Sequence, residues 1–341
     1  MEGIDTVLVT RATGFIGAHI VDGLLKKGVT VRGTTRSLAK AEQMKAARPE
    51  HALKLHFVQM RDFSGDVNFS EAVAGVDAIV HTASPLTYDT TDNEKELILP
   101  AINGVKAILS AAANTGKVKR VVLTSSFASV IDIGRNAGPG FTYTAQHWNP
   151  LTYEEAIAPE TNAVVAYRGS KKFAELEAWN FVEREKPSFD LVAFCPPMTF
   201  GPIAHPVLEP SQLNESNARL WDVAVGQPLP EARVPVWIDV RDLAAMHVEA
   251  VFSDKAGGKR YVPASPGKYL YELAASVLRS HFPAAIGQVV EIDEASPPVG
   301  YYLDGKAVTE DLGIQYRDFE TTVVDLFGSL EALEIYPWKA S

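Results

Sequence analysis

VLVTRATGFIGAHI, residues Val7 to Ile20, reads as a buried strand, a glycine turn and the opening of a helix. Gly14 and Gly17 stand three apart, and the position three residues before Gly14, where a dinucleotide-binding loop normally has its first glycine, holds Arg11. A glycine loop between a strand and a helix is the context that gives this short motif weight. Backbone N–H groups at the helix N-terminus would meet a pyrophosphate, helped by the helix dipole. Gly14 would allow close approach of the phosphates, and Gly17 tight packing of helix on strand. The expected contacts in this loop are Arg11, Thr13, Gly14, Phe15, Ile16 and Gly17. A plain strand–helix turn is the bland alternative. A β-carbon at position 11 restricts the backbone, and the expected orientation carries the Arg11 side chain away from the pyrophosphate, towards solvent or the adenosine end.

Outward from this loop, short apolar runs alternate with amphipathic stretches. Strands are expected at Thr6–Thr10, Thr30–Thr34, Leu53–Val58, Ala78–His81, Arg120–Thr124 and Leu191–Phe194. Helices are expected at Phe15–Lys27, Leu38–Ala47, Glu94–Asn114 and Tyr167–Arg184. Continuously apolar strands alternating with helices imply a doubly wound parallel α/β sheet. After CPPMTFGP (Cys195–Pro202) the texture turns to proline-rich and polar loops. Val236–Phe252 then reads as one more strand and helix returning to the sheet. The expected division is a cofactor domain of residues 1–195 plus about 236–253, and a smaller substrate lobe of 196–235 plus about 254–341.

Composition limits the function classes. The chain has 341 residues, 46% of them hydrophobic and 22% charged, and a net charge of −10. That length amounts to roughly two domains at about 150 residues each. The acidic balance argues against a nucleic-acid surface. Cys195 is the single cysteine, so no internal disulfide forms and a reducing, cytoplasmic setting fits. No secretory leader is read at the N-terminus, and no apolar run is read as approaching the roughly 20 residues that span a bilayer. No His/Cys/Asp/Glu cluster has metal-ligand spacing.

The second strand, in VTVRGTTRS, ends without the acid that would hold unphosphorylated ribose; Arg36 stands there, with Lys40 one helical turn on. A carboxylate would repel a 2′-phosphate, whereas a guanidinium pairs with it bidentately. NADP(H) is therefore the expected cofactor. Asp62 could receive the adenine amino group, with Phe63 beside the ring. Tyr167 and Lys171, four apart, share one helix face. An ammonium about 4 Å from a phenolate interacts by roughly 4 kcal/mol at an effective dielectric of about 20, enough to depress the tyrosine pKa. Thr124-Ser125-Ser126 closes the fifth strand at the carboxyl edge of the sheet, where ligands of open α/β folds bind.

Taken together, VTxATGFIGAHIVDGLLKKG, GTTRSLAKAE, HTASP, LILPAINGVKAIL, RVVLTSSFASV, AYRGSKKFAELEAW, FGP and IDVRDLAAMH resemble the extended short-chain dehydrogenases/reductases. The likeness is greatest to the dihydroflavonol-reductase-like branch, which includes methylglyoxal, aldehyde and carbonyl reductases. It runs to about Phe252. The resemblance implies a Rossmann fold in which Tyr167 donates a proton and Lys171 lowers its pKa while holding the nicotinamide ribose. Ser126 would bind the substrate carbonyl, with Ser125 as the fallback. Thr82, Ala83 and Ser84 would lie along the cofactor, Pro196 and Thr199 near the nicotinamide, and Ser216 at a cofactor loop. Asn103 would make a helix–strand hydrogen bond or assist a proton relay, and His81 is expected to be a buried, hydrogen-bonded residue. Leu86, Tyr88, Phe127, Val165, Met198, His205 and Trp221 are the candidate substrate pocket, whose apolar character suggests a hydrophobic carbonyl compound. The expected activity is NADPH-dependent reduction of a small ketone or aldehyde by a monomer or homodimer. A nucleotide-sugar epimerase or dehydratase, and an NADPH-sensing protein without turnover, are the alternatives.

Overall fold

The computed structural model describes residues 1–60, 67–83, 90–135, 138, 140–232, 234–292 and 300–338. Its first half alternates as the apolar runs do: β1 (Thr6–Val9), α1 (Phe15–Lys26), β2 (Thr30–Thr35), α2 (Leu38–Ala46), β3 (Leu55–Gln59), α3 (Ser70–Val73), β4 (Ala78–His81), α4 (Leu99–Thr115) and β5 (Arg120–Thr124). The chain continues through β6 (Thr142–Tyr143), α5 (Tyr153–Ile157), α6 (Ala163–Glu185), β7 (Asp190–Phe194), β8 (Met198–Phe200) and α7 (Glu215–Ala224). It ends with β9 (Trp237–Asp239), α8 (Val240–Phe252), β10 (Arg260–Tyr261), α9 (Tyr271–His281), β11 (Tyr302–Leu303), α10 (Lys306–Leu312) and α11 (Phe319–Ala332).

Seven parallel strands form the main sheet in the order β10-β7-β5-β4-β1-β2-β3. Side chains alternate across it. Val7, Val9, Val80 and Val122 pack under α1 and α8 with Leu24, Leu243 and Met246. Leu8, Ile79, Val121 and Leu123 face the other way, against Val105, Ile108, Ala174 and Phe181 of α4 and α6. Both faces are covered, so the strands are apolar throughout. This is a Rossmann-type, doubly wound sheet, and its strand order reverses between β1 and β4. A further apolar cluster joins Phe200, Leu220, Trp237, Tyr269, Leu278 and Phe327, from β8, β9, α7, α9 and α11 with the loop before α9.

Two expectations change. The strand in Val236–Phe252 does not return to the main sheet: β9 pairs with β8 in a separate two-stranded sheet. The seventh strand is β10, which pairs with β7. Only α8 returns, packing on α1. Hydrophobic pattern marks a strand but not its partner. Second, Glu94–Thr115, a π-helical turn running into α4, is 22 residues long and apolar enough by length and composition to cross a membrane, half of its apolar window being buried. Its buried side, Ala101, Val105, Ile108, Leu109 and Ala112, packs within the protein beside α6, as a core helix does.

The helix expected from Tyr167 begins four residues earlier, at Ala163, because Asn162 caps it by accepting the Val165 N–H at 3.1 Å. It ends at Glu185, where Lys186 adopts the left-handed conformation.

Candidate active site

The turn after β1 is held by three hydrogen bonds. Gly14 N–H donates to the Arg11 carbonyl at 2.9 Å, Ala12 N–H to the Thr34 carbonyl at 3.0 Å, and Arg11 N–H to Thr34 Oγ1 at 3.0 Å. Gly14 is the N-cap of α1 and supplies no side chain to cap it. A β-carbon at Gly17 would collide with the Arg11 carbonyl oxygen, so only glycine lets the helix start this close to the turn. The first N–H groups of α1 have no partner within the helix. The residues present therefore fit a dinucleotide's phosphates.

Arg11 carries φ of 52°, in the left-handed region that favours glycine. Its side chain is exposed and near enough to Arg36 to feel that charge, yet it stays against the loop. The backbone turns it across the loop, so that Cγ and Nε lie 3.2 and 3.3 Å from where a Gly14 β-carbon would stand. Partial desolvation by the cleft walls and the neighbouring Arg36 both weaken its hold on its proton. Arg36 and Lys40 line the same cleft, Arg36 exposed after β2 and Lys40 in the first turn of α2. Among the described residues, none of these three cations pairs with a carboxylate.

At the other end of the cleft, Tyr167 and Lys171 project from α6 with Val164 and Arg168, the set of one helix face. The Tyr167 hydroxyl hydrogen-bonds Ser126. Burial pushes its pKa up to about 12, against the opposing pull of that hydrogen bond. The expected depression by Lys171 is not what the structure shows. The Lys171 nitrogen lies 5.8 Å from the tyrosine ring centre, and desolvation dominates. Lys171 is itself brought down to about 8 by burial and by Arg11. A tyrosine this weakly acidic keeps its proton at neutral pH, as a proton donor must.

Both adjacent serines line the cleft, but their hydroxyls take different partners. Ser126 caps a short 3₁₀ turn, its Oγ accepting the Ala128 N–H at 3.1 Å, and lies in the cleft. Ser125 donates instead to Glu175 Oε2, behind the site. That oxygen also accepts from Ser129 Oγ at 2.5 Å, from Cys195 Sγ at 3.3 Å and from Arg260. Arg260 Nε donates to Glu175 Oε1 at 2.6 Å, and its guanidinium stacks 3.8 Å from the Trp148 ring centre. Burial works against the Glu175 charge, but Arg260 and the hydroxyl donors outweigh it and hold the carboxyl below its ordinary pKa.

The cleft has a volume of about 1110 Å³. Small-molecule sites commonly occupy roughly 300–1,000 Å³, so there is room for a dinucleotide and a second reactant. Thr13, Gly14, Phe15, Ile16, Gly17, Thr82, Ala83, Phe127, Pro196, Met198, Thr199, His205 and Ser216 line it with the residues already described. Thr10 Oγ1 accepts the N–H groups of Thr82 and Ala83, each at 3.0 Å, tying β4 to the phosphate loop. Ser216 donates to the Thr199 carbonyl.

Several candidates fall elsewhere. Val165 points off the face shared by Val164 and Tyr167, one residue being about 100° of helix, and does not line the cleft. Trp221 packs against the cluster of α7, α9 and α11. Asn103 is exposed on α4 and does not line the cleft. His205 belongs to the phosphate end, its ring 6.0 Å from that of Phe15 and its Nδ1 buried without a partner. His81 is buried and hydrogen-bonded to Thr10 Oγ1 at 3.0 Å. Asp62, Phe63, Ser84, Leu86 and Tyr88 lie outside the described residues. The sequence reading missed Val164, Arg168, Val234, Tyr269 and Tyr271 in the lining, and also the Glu215–Arg219 pair at 3.1 Å, so the pocket is not purely apolar. For Val164 and Arg168 the helical spacing from Tyr167 was a usable signal. For Tyr269 and Tyr271 there was none, since only tertiary folding carries that segment to the cleft.

A cleft at the carboxyl edge of a doubly wound sheet, with a glycine turn at one end and Tyr-x-x-x-Lys at the other, defines the class of Rossmann-type dinucleotide proteins. The chain belongs to the NAD dependent epimerase/dehydratase family, whose model matches residues 7–262. It is 38% identical to a putative uncharacterized oxidoreductase of Schizosaccharomyces pombe, over 94% of this chain and 95% of that one. It is 33% identical to the NADPH-dependent methylglyoxal reductase of Saccharomyces cerevisiae, over 94% of this chain and 96% of the relative. The crystal structure of the yeast methylglyoxal/isovaleraldehyde reductase complexed with NADPH superposes with a TM-score of 0.84 at 32% identity, covering 96% and 99% of the two chains.

Proposed function

We propose that this protein is an NADPH-dependent carbonyl reductase that transfers hydride to a hydrophobic ketone or aldehyde. One observation carries the reading. A single cleft joins the Ser126–Tyr167–Lys171 set to three cations, Arg11, Arg36 and Lys40, that lack carboxylate partners among the described residues. The similarity to an NADPH-dependent methylglyoxal reductase over nearly the whole chain supports the same conclusion.

When bound, NADPH supplies the hydride from its nicotinamide. Gly14, Phe15, Ile16 and Gly17 hold its phosphates on the N-terminus of α1. Arg36 and Lys40 hold the 2′-phosphate; Thr82, Ala83, Pro196, Thr199 and Ser216 line its path. Lys171, still largely protonated at neutral pH, holds the ribose beside Tyr167. The Ser126 and Tyr167 hydroxyls converge on the substrate oxygen and stabilise its developing negative charge. Tyr167 then gives that oxygen its proton, completing the alcohol. Phe127, Val164, Met198 and Tyr269 supply the apolar wall for the substrate. A cofactor lobe and a smaller substrate lobe remain part of the proposal, with β10 placed on the cofactor side because it pairs with β7, and β9 on the substrate side because it pairs with β8. Action in the cytoplasm as a monomer or homodimer is part of the same proposal, supported by the single, buried, unpaired Cys195.

The test mixes protein, NADPH and a panel of ketones and aldehydes, and follows the loss of reduced-nicotinamide absorbance. Turnover of apolar carbonyl compounds supports the reading. Binding without turnover of any of them makes the protein a sensor. Sugar-nucleotide conversion without net cofactor oxidation makes it an epimerase.

A further inference from the structure

Arg11 stands between the cations at the Arg36–Lys40 end and the Tyr167–Lys171 end of the cleft. Its left-handed backbone keeps the turn in the shape glycine would give, since the hydrogen bonds to Thr34 and Gly14 are all formed. Whatever strain that conformation stores is present with or without a ligand, so it cancels from binding. What remains is charge. The guanidinium lies across Gly14 at the start of a 12-residue helix, where the dipole disfavours a cation. Arg36, Lys171 and His205 are close enough to feel its charge, and no carboxylate pairs with it among the described residues. Arg11 and Arg36, with the Lys171 ammonium beyond, stand around backbone donors, and unbalanced cations so placed call for an anion of more than one charge. The place is midway along the cleft, between the Arg36–Lys40 end and the Tyr167–Lys171 end.

We propose that Arg11 is a ligand of the cofactor's pyrophosphate, which it would hold together with the N-terminus of α1. This rests on the nicotinamide-cofactor reading. It assigns Arg11 a different task from Arg36: the diphosphate is common to NADPH and NADH, whereas the 2′-phosphate belongs to NADPH alone.

The experiment measures dissociation constants of NADPH and NADH by calorimetry for the wild type, Arg11→Gly, Arg11→Lys and Arg36→Ala, at low and high salt. Arg11→Gly relieves a strained residue and is expected to fold at least as well as the wild type. It should weaken both cofactors alike, by roughly 10- to 150-fold, the range for a hydrogen bond to a charged group. Arg11→Lys should recover part of the loss, keeping charge but not the fork, and high salt should shrink the difference. Loss confined to NADPH would move the contact to the 2′-phosphate and overturn the proposal. Unchanged or tighter binding of both cofactors would also overturn it, showing that Arg11 is idle or obstructs the cleft. Wild-type protein that binds neither nucleotide would overturn the cofactor reading itself, and the role of Arg11 with it.

Discussion

Ser125 donates its hydroxyl to Glu175 at 2.5 Å, fifty residues along the chain, and this leaves the neighbouring Ser126 alone to meet Tyr167 in the cleft. The two hydroxyls are adjacent in sequence and do unrelated work. One closes a buried network that joins the end of β5 to α6. The other faces the reacting end of the cleft.

The two alanine variants should therefore differ in kind. Ser126→Ala should lower kcat by about 10²–10³-fold, as loss of an oxyanion donor does, with little change in Tm. Ser125→Ala removes one donor from the Glu175 carboxylate and should cost about 1–3 kcal/mol of stability. Parallel kinetics and thermal melts decide it. A larger kinetic loss from Ser125→Ala than from Ser126→Ala would reverse the assignment.

Tyr167→Phe should abolish nearly all reduction while NADPH binds close to normally. General acid catalysis typically contributes about 10²–10⁴-fold. If steady-state assays showed more than about a tenth of the wild-type rate, Tyr167 would not be the proton donor.

Arg36→Ala should weaken NADPH far more than NADH. The loss expected for a charge-assisted contact is roughly 10- to 150-fold. Titration of both cofactors checks it, and equal losses would show that Arg36 does not face the 2′-phosphate.

The pH profile follows from Lys171 and Tyr167. With Lys171 at about 8 and Tyr167 at about 12, kcat/KM for reduction should be level through neutral pH. It should fall above about 8 as the Lys171 ammonium is lost, since this parameter reports groups of the free enzyme. A profile that stays flat to pH 10 would remove Lys171 from the mechanism.

Acid should loosen the fold before carboxylates titrate. Burial brings His81 down to about 3 and His247 to about 4. Their unfolded values lie near 6.5, so the unfolded chain takes up protons first. Stability is fully present above about 6.5 and is lost as pH falls towards the folded values, by about 1.4 kcal/mol per pH unit for each histidine. Thermal melts from pH 7.5 to 5 should show falling Tm. His247→Gln, which removes one titrating group while keeping polar atoms for Thr124 and Leu243, should flatten the slope, and an unchanged slope would exclude His247 as a contributor.

The sheet and the two ends of the cleft were legible in the chain because local rules carry them. Val7–Val9 is apolar on both faces, so it had to be a covered parallel strand. Gly14 and Gly17 open α1 at a spacing set by one turn, and Tyr167 and Lys171 meet because residues four apart share a helix face. Arg36 declared itself by charge at a strand end.

What the chain alone left open was every choice among distant partners. Ser125 and Ser126 were interchangeable until Glu175 took one of them. The Trp237–Asp239 strand was recognisable, but its pairing with Met198–Phe200 rather than with the main sheet was not. Tyr269 and Tyr271 reach the cleft, and Trp221 leaves it, by the packing of α7, α9 and α11. Arg11 was visibly out of place, yet only the folded turn sent its side chain across Gly14. Periodicity and turn chemistry act between near neighbours and are written in order along the sequence. The pairing of segments far apart is selected by the free energy of burying them together, which no single stretch contains.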